Sequence, residues 1–224
     1  MKVLLSWLRD FVDVPGRPED IAATMSVRGF AVEGLERLDD GDTVIDFEVT
    51  GNRPDCMSVS GIAREVATAF GLQVRRPAVA TSLRRADGQG ERGPALHLTS
   101  LKTVERTDID VVIESPDLCP RYAGAVADVT IGSSPDWMQA RLRAAGVRPT
   151  SNIVDVTNYV LIELGQPMHA FDHARLSGGQ IRVRTARRGE VLLTLDGKQR
   201  ELSPEMLVIA DAERAVAVAG VMGG

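Results

Sequence analysis

The sequence is poor in aromatic residues and in cysteine. Aromatic side chains make up only 4% of the 224 residues, so a platform that stacks on several nucleic-acid bases is not expected. The two cysteines, Cys56 and Cys119, lie far apart, which excludes a disulfide framework or a cysteine zinc ribbon and favours a reducing, cytoplasmic setting. The first apolar run, Val3 to Leu8, is too short for a signal-peptide core or a membrane span, and no later run is long and uncharged enough.

Charge and composition are those of an ordinary globular protein. There are 26 basic and 31 acidic residues, a net charge of −5. This balance argues against a nucleic-acid binder that is basic all over, although it allows a local basic face. Hydrophobic residues at 44% and charged residues at 25% exclude wholesale disorder. At roughly 150 residues per domain, the length predicts one large or two small domains.

A polar, glycine-bearing stretch divides the chain near its middle. Residues 79–94, VATSLRRADGQGERGP, are interpreted as a linker between an N-terminal domain, 1–78, and a second domain, 95–224. In the first domain the pattern predicts three helices and one strand. They are a short helix over 7–12 capped by Ser6, a helix from Pro18 to Gly29, an alternating strand over 43–50, and a helix carrying Ile62, Val66 and Phe70 that ends at Gly71.

The second domain reads mainly as antiparallel strands with two helices, which makes the chain α+β. The first helix is predicted to start at Ser134-Pro135, to bury Trp137, Met138 and Leu142, and to end at Gly146. The second helix carries apolar residues from 153 to 164 and ends at Gly165. The predicted strands are 109–113, 122–129, 181–185, 191–195, 207–210 and 215–219, with a tight hairpin at Asp196-Gly197.

Familiar nucleotide-binding and hydrolase motifs are missing, including GxGxxG, GxxxxGK[ST], HExxH and GxSxG. The final GVMGG is interpreted as a tight turn, with close approach of backbone to a ligand as the alternative. His169 and His173 could ligate one metal if they shared a helix, but Gly165 and Pro167 favour a loop and no third ligand stands out. We therefore expect no metal site, and a metal-dependent hydrolase is kept as the rival hypothesis.

Two polar residues near the second helix are candidates for a site. Asn158 lies inside an apolar helical pattern, where its amide must find partners. Asn158 either makes a structural hydrogen bond to a neighbouring loop or points its amide inward to line a polar pocket. In the second case, Asn158 and His169 could serve one cleft. Arg148 precedes Pro149 just after the end of the first helix.

Long segments of the chain resemble the bacterial phenylalanyl-tRNA synthetase beta chain. NIVDVTNYVLIELGQPMHAFD at 152–172 is similar to the signature of its editing module. The flanking similarity is collinear and covers nearly the whole chain apart from the linker: MKVLLSWLRDFV at the start, VEGLE at 32–36, FEVTGNRPDCMSVSGIAREVA at 47–67, LDGKQRELSPEMLVIAD at 195–211 and AGVMGG at the end. The resemblance implies an N-terminal α+β domain followed by the first part of a larger editing domain.

The resemblance also implies a function. The family charges its tRNA with phenylalanine at a site on the partner alpha chain, using ATP and magnesium, so we expect no cofactor and no metal in this chain. A hydrophobic pocket rejects the extra hydroxyl of tyrosine by only about a hundredfold, and the family hydrolyses mischarged tyrosyl-tRNA at a second site. The expected partners are the alpha chain and the aminoacylated acceptor end of tRNA, in the cytoplasm and without a membrane.

Five residues receive roles from the resemblance. His169 would position water or substrate, Arg148 suits the negatively charged tRNA end, and Gly220 would let the substrate approach closely. Asn158 and Pro167 would line the pocket. Because no serine or cysteine nucleophile stands beside a base, we expect attack by a water held by hydrogen bonds rather than a covalent intermediate.

Two features depart from the family pattern. Its members carry an oligonucleotide-binding insert after VEGLE, whereas here RLDDGD at 37–42 leads straight into the next strand. They also continue past the position of Gly224 with a Glu and a Thr that complete the editing pocket. We therefore expect an N-terminal fragment of the beta chain with an incomplete editing site. The alternative is a free-standing relative that binds without catalysis.

Overall fold

The computed structural model describes residues 1–75 and 109–224, so the linker expected at 79–94 lies outside the described residues. The described residues form two compact units. The first contains 1–75 and Ile131–Met168, and the second contains 109–130 and His169–Gly224. Residues 131–168, with the two helices that the sequence analysis assigned to the second domain, therefore pack with the N-terminal elements.

The first unit combines helices with a small antiparallel sheet. Its elements are β1 (Lys2–Leu4), α1 (Leu5–Phe11), α2 (Pro18–Ser26), β2 (Val32–Arg37), β3 (Thr43–Phe47), a 3-10 turn (Pro54–Cys56), α3 (Val59–Phe70), α4 (Asp136–Ala144) and α5 (Asn152–Leu164). The strand order β1-β3-β2 places β3 in the centre. A turn closed by the Leu38 amide on the Asp42 carbonyl, at 2.9 Å, joins β2 directly to β3. The segment 37–42, at which the sequence departs from the family pattern, is thus this short turn between two paired strands.

The core of the first unit is built from large apolar side chains. Trp7, Phe11, Met25 and Phe47 are among those with almost no exposed surface. Their burial removes apolar area from water, which is the dominant favourable term in folding. The strand predicted over 43–50 ends at Phe47; it is the middle strand of the sheet, and residues on both of its faces are buried.

Glycine ends two helices as predicted. Gly71 (φ 66°) and Gly165 (φ 74°) adopt the left-handed conformation directly after α3 and α5. The start of α1 was predicted wrongly: it begins at Leu5, so Ser6 lies inside the helix instead of capping it.

The predicted start of α4 is one residue too early. The helix begins at Asp136, with Pro135 as the extended residue before it. Ser134 lies one residue before the N-cap position and does not cap the helix, and its hydroxyl donates to the carboxylate of Asp155. Met138 and Leu142 are buried as predicted, whereas Trp137 is 43% exposed.

The second unit is a mixed, mainly antiparallel sheet. Its elements are β4 (Asp110–Ile113), two 3-10 turns (His173–Arg175 and Ser177–Gly179), β5 (Gln180–Thr185), β6 (Val191–Leu193), β7 (Gln199–Glu201), β8 (Leu207–Ala210), β9 (Ala215–Val218) and β10 (Met222–Gly223). Five strands lie in the order β10-β9-β8-β5-β4, and only the β4–β5 pairing is parallel. The β6–β7 hairpin turns at Asp196-Gly197 as predicted, with Gly197 at φ 75°. The predicted α+β class is confirmed.

The strand predicted over 122–129 is wrong. These residues have no regular secondary structure. The segment contains three alanines, a glycine and an aspartate, residue types that are depleted in strands. Within the described ranges, no helix combines the length and the apolar character that crossing a bilayer requires.

Candidate functional site

His169 opens the C-terminal part of the second unit, in the loop over 165–172 that Gly165 and Pro167 predicted. Its ring lies 4.5 Å from the ring of Phe171, centroid to centroid, at an interplanar angle of 60°. Partial burial of the imidazole lowers the pKa of His169 below its ordinary value, which favours the neutral form. Neither ring nitrogen has a hydrogen-bond partner among the described residues. A water or a substrate oxygen could therefore bind there.

Gly223 in β10 packs against the edge of this imidazole. A Cβ at Gly223 would lie 2.7 Å from Cε1 and 3.0 Å from Nε2 of His169, and 3.1 Å from Cδ1 of Leu195. The carbonyl of Gly223 also accepts a hydrogen bond from the Leu195 amide at 2.9 Å. Any side chain at 223 would displace the imidazole. Sequence reasoning missed this residue, although the paired glycines at the end of GVMGG, where a strand brings backbone close to another group, were the available signal.

Gly220, the glycine chosen from the sequence, occupies an exposed turn between β9 and β10. Its φ is 70°, and the Val221 amide donates to the Val218 carbonyl at 3.1 Å. Within the described part of the chain, a Cβ at Gly220 would meet nothing within 4 Å. The backbone conformation therefore explains this glycine, and its close approach to a substrate stays a prediction.

Arg148, Asn158 and Pro167 belong to the first unit, whereas His169 and Gly220 belong to the second. Arg148 is exposed in the connection between α4 and α5, and its guanidinium has no ion pair or hydrogen bond among the described residues. Asn158 is half-buried in α5. Its amide makes no hydrogen bond within the described ranges, so the structural bond considered from the sequence is not found there. Pro167 is exposed, and its carbonyl accepts from Gln166 Nε2 at 3.1 Å.

A cluster in the first unit shows that proximity of potential ligands does not make a metal site. Asp55, Cys56 and Glu65 form the only group of potential ligands that lie within 4.8 Å of one another in the described residues. The guanidinium of Arg53 fills the space between them, at 2.9 Å from Asp55, 2.7 Å from Glu65 and 3.0 Å from Cys56 Sγ. Burial raises the pKa of the Cys56 thiol to about 11, so a thiolate ligand is disfavoured.

Comparison with known proteins places these features in a family. Residues 118–224 match the B3/4 domain. The phenylalanine–tRNA ligase beta subunit of Moorella thermoacetica is 53% identical over 184 residues, which cover 82% of this chain and 21% of that subunit. The beta subunit of Rhodopirellula baltica is 39% identical over 225 residues, covering 100% of this chain and 30% of that subunit. The chain belongs to the phenylalanine–tRNA ligase beta-subunit family.

The resemblance recognised in the sequence is thereby confirmed. The chain spans between 21% and 30% of the length of these two beta subunits. A solved N-terminal fragment of the Pyrococcus horikoshii phenylalanyl-tRNA synthetase beta-subunit is also similar, at 14% identity, covering 100% of this chain and 62% of that one, with a TM-score of 0.46.

The B3/4 match contains every residue singled out from the beta-subunit resemblance. These residues and Gly223 all lie between 118 and 224, whereas the Arg53 cluster lies outside. The match also includes 131–168 of the first unit, so it draws on residues of both units.

Proposed function

We propose that this chain takes part in hydrolytic editing of mischarged tyrosyl-tRNA, as the N-terminal region of a phenylalanine–tRNA ligase beta subunit. The observation that carries the proposal is His169. Its imidazole, for which the neutral form is favoured, packs against Phe171 and Gly223. Neither ring nitrogen has a hydrogen-bond partner among the described residues, and His169 lies within the B3/4 match. The proposal assigns this ring to the water or ester that reacts.

The chemistry follows from what surrounds the ring. Ester hydrolysis needs a positioned nucleophile and stabilisation of the oxyanion that forms. No serine or cysteine is hydrogen-bonded to His169 in the described part of the chain, so an activated side-chain nucleophile is not supported. Attack by a water that hydrogen-bonds to the neutral imidazole fits better. For the other residues the proposal keeps the separate roles that the family resemblance implies: the free guanidinium of Arg148 meets a phosphate of the tRNA end, Asn158 and Pro167 contact the substrate, and Gly220 allows its close approach.

The rest of the ligase reaction is assigned to other components. We propose that ATP and magnesium act at an aminoacylation site on the partner alpha chain, in the cytoplasm, and that this chain holds no cofactor of its own. The 224 residues alone should then show no ATP–pyrophosphate exchange with phenylalanine. Sustained exchange by the purified chain would contradict this assignment.

The test is hydrolysis of tyrosyl-tRNA under single-turnover conditions. The test protein is a full-length Moorella thermoacetica beta subunit whose matching region is replaced by residues 1–224, purified with its alpha subunit. His169→Ala should slow deacylation by about ten- to a thousandfold, the range for losing one positioned group. Aminoacylation should be unchanged, and His173→Ala is the matched control.

Three outcomes would count against the proposal. Unchanged deacylation in a folded His169→Ala protein would remove its central residue. A trapped covalent tyrosyl-enzyme would exclude attack by water. Binding of tyrosyl-tRNA without any hydrolysis, in the unsubstituted protein, would favour the non-catalytic binding module instead.

A further inference from the structure

Asp155 is a buried carboxylate that the proposed reaction does not use. It lies near the start of α5 and is only 1% exposed. Burying an ionised carboxylate is costly unless hydrogen bonds satisfy its oxygens. Here Oδ1 accepts from the Thr150 amide at 2.8 Å, and Oδ2 accepts from the Ser134 hydroxyl.

These two bonds leave the helix to which Asp155 belongs. A carboxylate near a helix N-terminus usually serves the free amides of its own first turn. Asp155 instead reaches back to Thr150, which precedes the helix, and to Ser134, which precedes α4. Asp155 therefore holds together the residue before α4 and the end of the connection that leads into α5.

The connection that Asp155 holds carries Arg148. At its other end, Gly146 (φ 83°) turns the chain and the Val147 amide donates to the Leu142 carbonyl at 2.8 Å. With Val147 and Thr150 both fixed, the backbone between them has little freedom. The structure thus combines a rigid backbone with an exposed guanidinium that has no partner among the described residues.

We propose that Asp155 is a positioning residue for Arg148. By holding Thr150 and Ser134, it fixes the backbone from which the Arg148 side chain extends, so that the guanidinium can reach a phosphate of the tRNA acceptor end. The inference rests on the proposed function, because it takes from there the assignment of Arg148 to a phosphate. The inference adds Asp155 as the residue that positions Arg148 for this phosphate contact.

The salt dependence of tRNA binding tests the proposal in the full-length ligase described above. Arg148→Ala should weaken binding about tenfold and reduce the slope of log K against log salt by about one, as expected for one lost phosphate contact. Asp155→Ala should reproduce both changes, and the double variant should be no weaker than either single one. Asp155→Asn should restore near-normal binding, since its amide can accept from Thr150 and donate to the Ser134 hydroxyl.

A control on the same helix separates positioning from general destabilisation. Tyr159→Phe removes a hydroxyl that accepts from Arg141 at 2.8 Å and makes no contact with Thr150 or Ser134 among the hydrogen bonds of the described residues. It should lower the melting temperature and leave the salt slope unchanged. If Asp155→Ala does not fold, Ser134→Ala serves instead, with the same direction of change and a smaller loss of about threefold.

These measurements distinguish failure of the positioning role of Asp155 from failure of the proposed editing function. If Arg148→Ala lowers the slope while neither Asp155→Ala nor Ser134→Ala does, Asp155 has no positioning role. A reduced slope in Tyr159→Phe would likewise overturn it. If Arg148→Ala has no effect while His169→Ala still slows deacylation as predicted, Arg148 is not a phosphate contact, and the inference fails while the editing function stands.

Discussion

Glu190 should be the most stability-sensitive carboxylate of the second unit. Its two oxygens accept four hydrogen bonds, two from the Arg184 guanidinium at 2.7 and 2.8 Å and one each from the amides of Arg187 (2.8 Å) and Ala215 (2.9 Å). The side chains of Arg184 and Glu190 are only 5% and 11% exposed. One carboxylate therefore links the end of β5, the turn that follows it and the start of β9.

Replacing Glu190 by Gln leaves donors without acceptors. The amide has one accepting oxygen, and its NH2 group would face a guanidinium or a backbone amide that also donates. Breaking a buried ion pair by removing one partner costs about 3–5 kcal/mol. The hydrogen bonds from Arg184 lower the pKa of Glu190 from 4.5 to about 2, and that shift corresponds to about 3 kcal/mol of stability. The two routes agree, so Glu190→Gln should lower the free energy of unfolding by about 3 kcal/mol at pH 7.

The effect should depend on pH in a fixed direction. Because the pKa of Glu190 is lower in the folded state, the stabilisation is complete above the unfolded value near 4.5 and is lost as the pH falls toward about 2. At pH 3 the difference between the wild type and Glu190→Gln should have shrunk to about 1.4 kcal/mol.

Urea unfolding followed by far-UV circular dichroism would measure this difference. With a slope of about 1–3 kcal/mol/M, the midpoint for Glu190→Gln should fall by about 1–3 M. Glu201→Gln is the matched control, since Glu201 is exposed in β7 and has no ion pair among the described residues. Equal midpoints for the two variants at pH 7, or a difference that persists undiminished at pH 3, would refute the reasoning.

Three further predictions follow from single contacts. Gly223→Ala should push the imidazole of His169 aside and reduce deacylation by at least tenfold, with aminoacylation intact. The control Gly197→Ala lies at a hairpin turn, where a Cβ would meet nothing within 4 Å, and should not reduce deacylation. Equal deacylation rates for the two variants would contradict the packing of Gly223 on the imidazole. Gly61→Ala would place a Cβ 2.1 Å from a backbone carbonyl of the preceding turn, so urea unfolding followed by tryptophan fluorescence should show a loss of about 3 kcal/mol or more. The buried Cys56, with its pKa raised to about 11, should resist a thiol reagent at pH 8 while Cys119 reacts; two thiols reacting at equal rates in the folded protein would refute this.

Local signals in the sequence were sufficient for most elements. Gly71 and Gly165 fix the ends of two helices because few other residues adopt a positive φ, and Asp-Gly at 196 and 197 marks a hairpin for the same reason. The failures come from competition that sequence cannot show. Ser134 is a good helix cap by type, yet the helix begins one residue too late for it, and its hydroxyl instead donates to Asp155, 21 positions away.

Only part of the candidate site could be read from the residues. The loop around His169 was predicted from its neighbours, but the packing of Gly223 on the imidazole depends on how β10 pairs with β9. The paired glycines of GVMGG signal a close approach of backbone, but nothing at Gly223 or His169 identifies the two as partners. The roles of Arg148 and Asn158 came from family resemblance alone, since by type and spacing an exposed arginine and a helical asparagine are common.

The placement of 131–168 in the first unit has a physical cause that also explains an exposed tryptophan. The chain has only two tryptophans and two tyrosines, and three of these four meet in one cluster. Trp7 stacks on Tyr159 at 4.6 Å, Trp137 meets Tyr159 edge-on at 5.4 Å, and Arg141 lies over both indoles at 5.3 and 5.9 Å. The Trp7 indole also donates to Glu163 at 2.8 Å, and the Arg141 guanidinium pairs with Asp10 at 2.6 Å. These contacts join α4 and α5 to α1 across more than a hundred residues of sequence.

Trp137 stays partly exposed because its partners are a tyrosine edge and a cation, which do not require full burial. Although aromatic residues are few in this chain, three of them therefore hold helices of the first unit together.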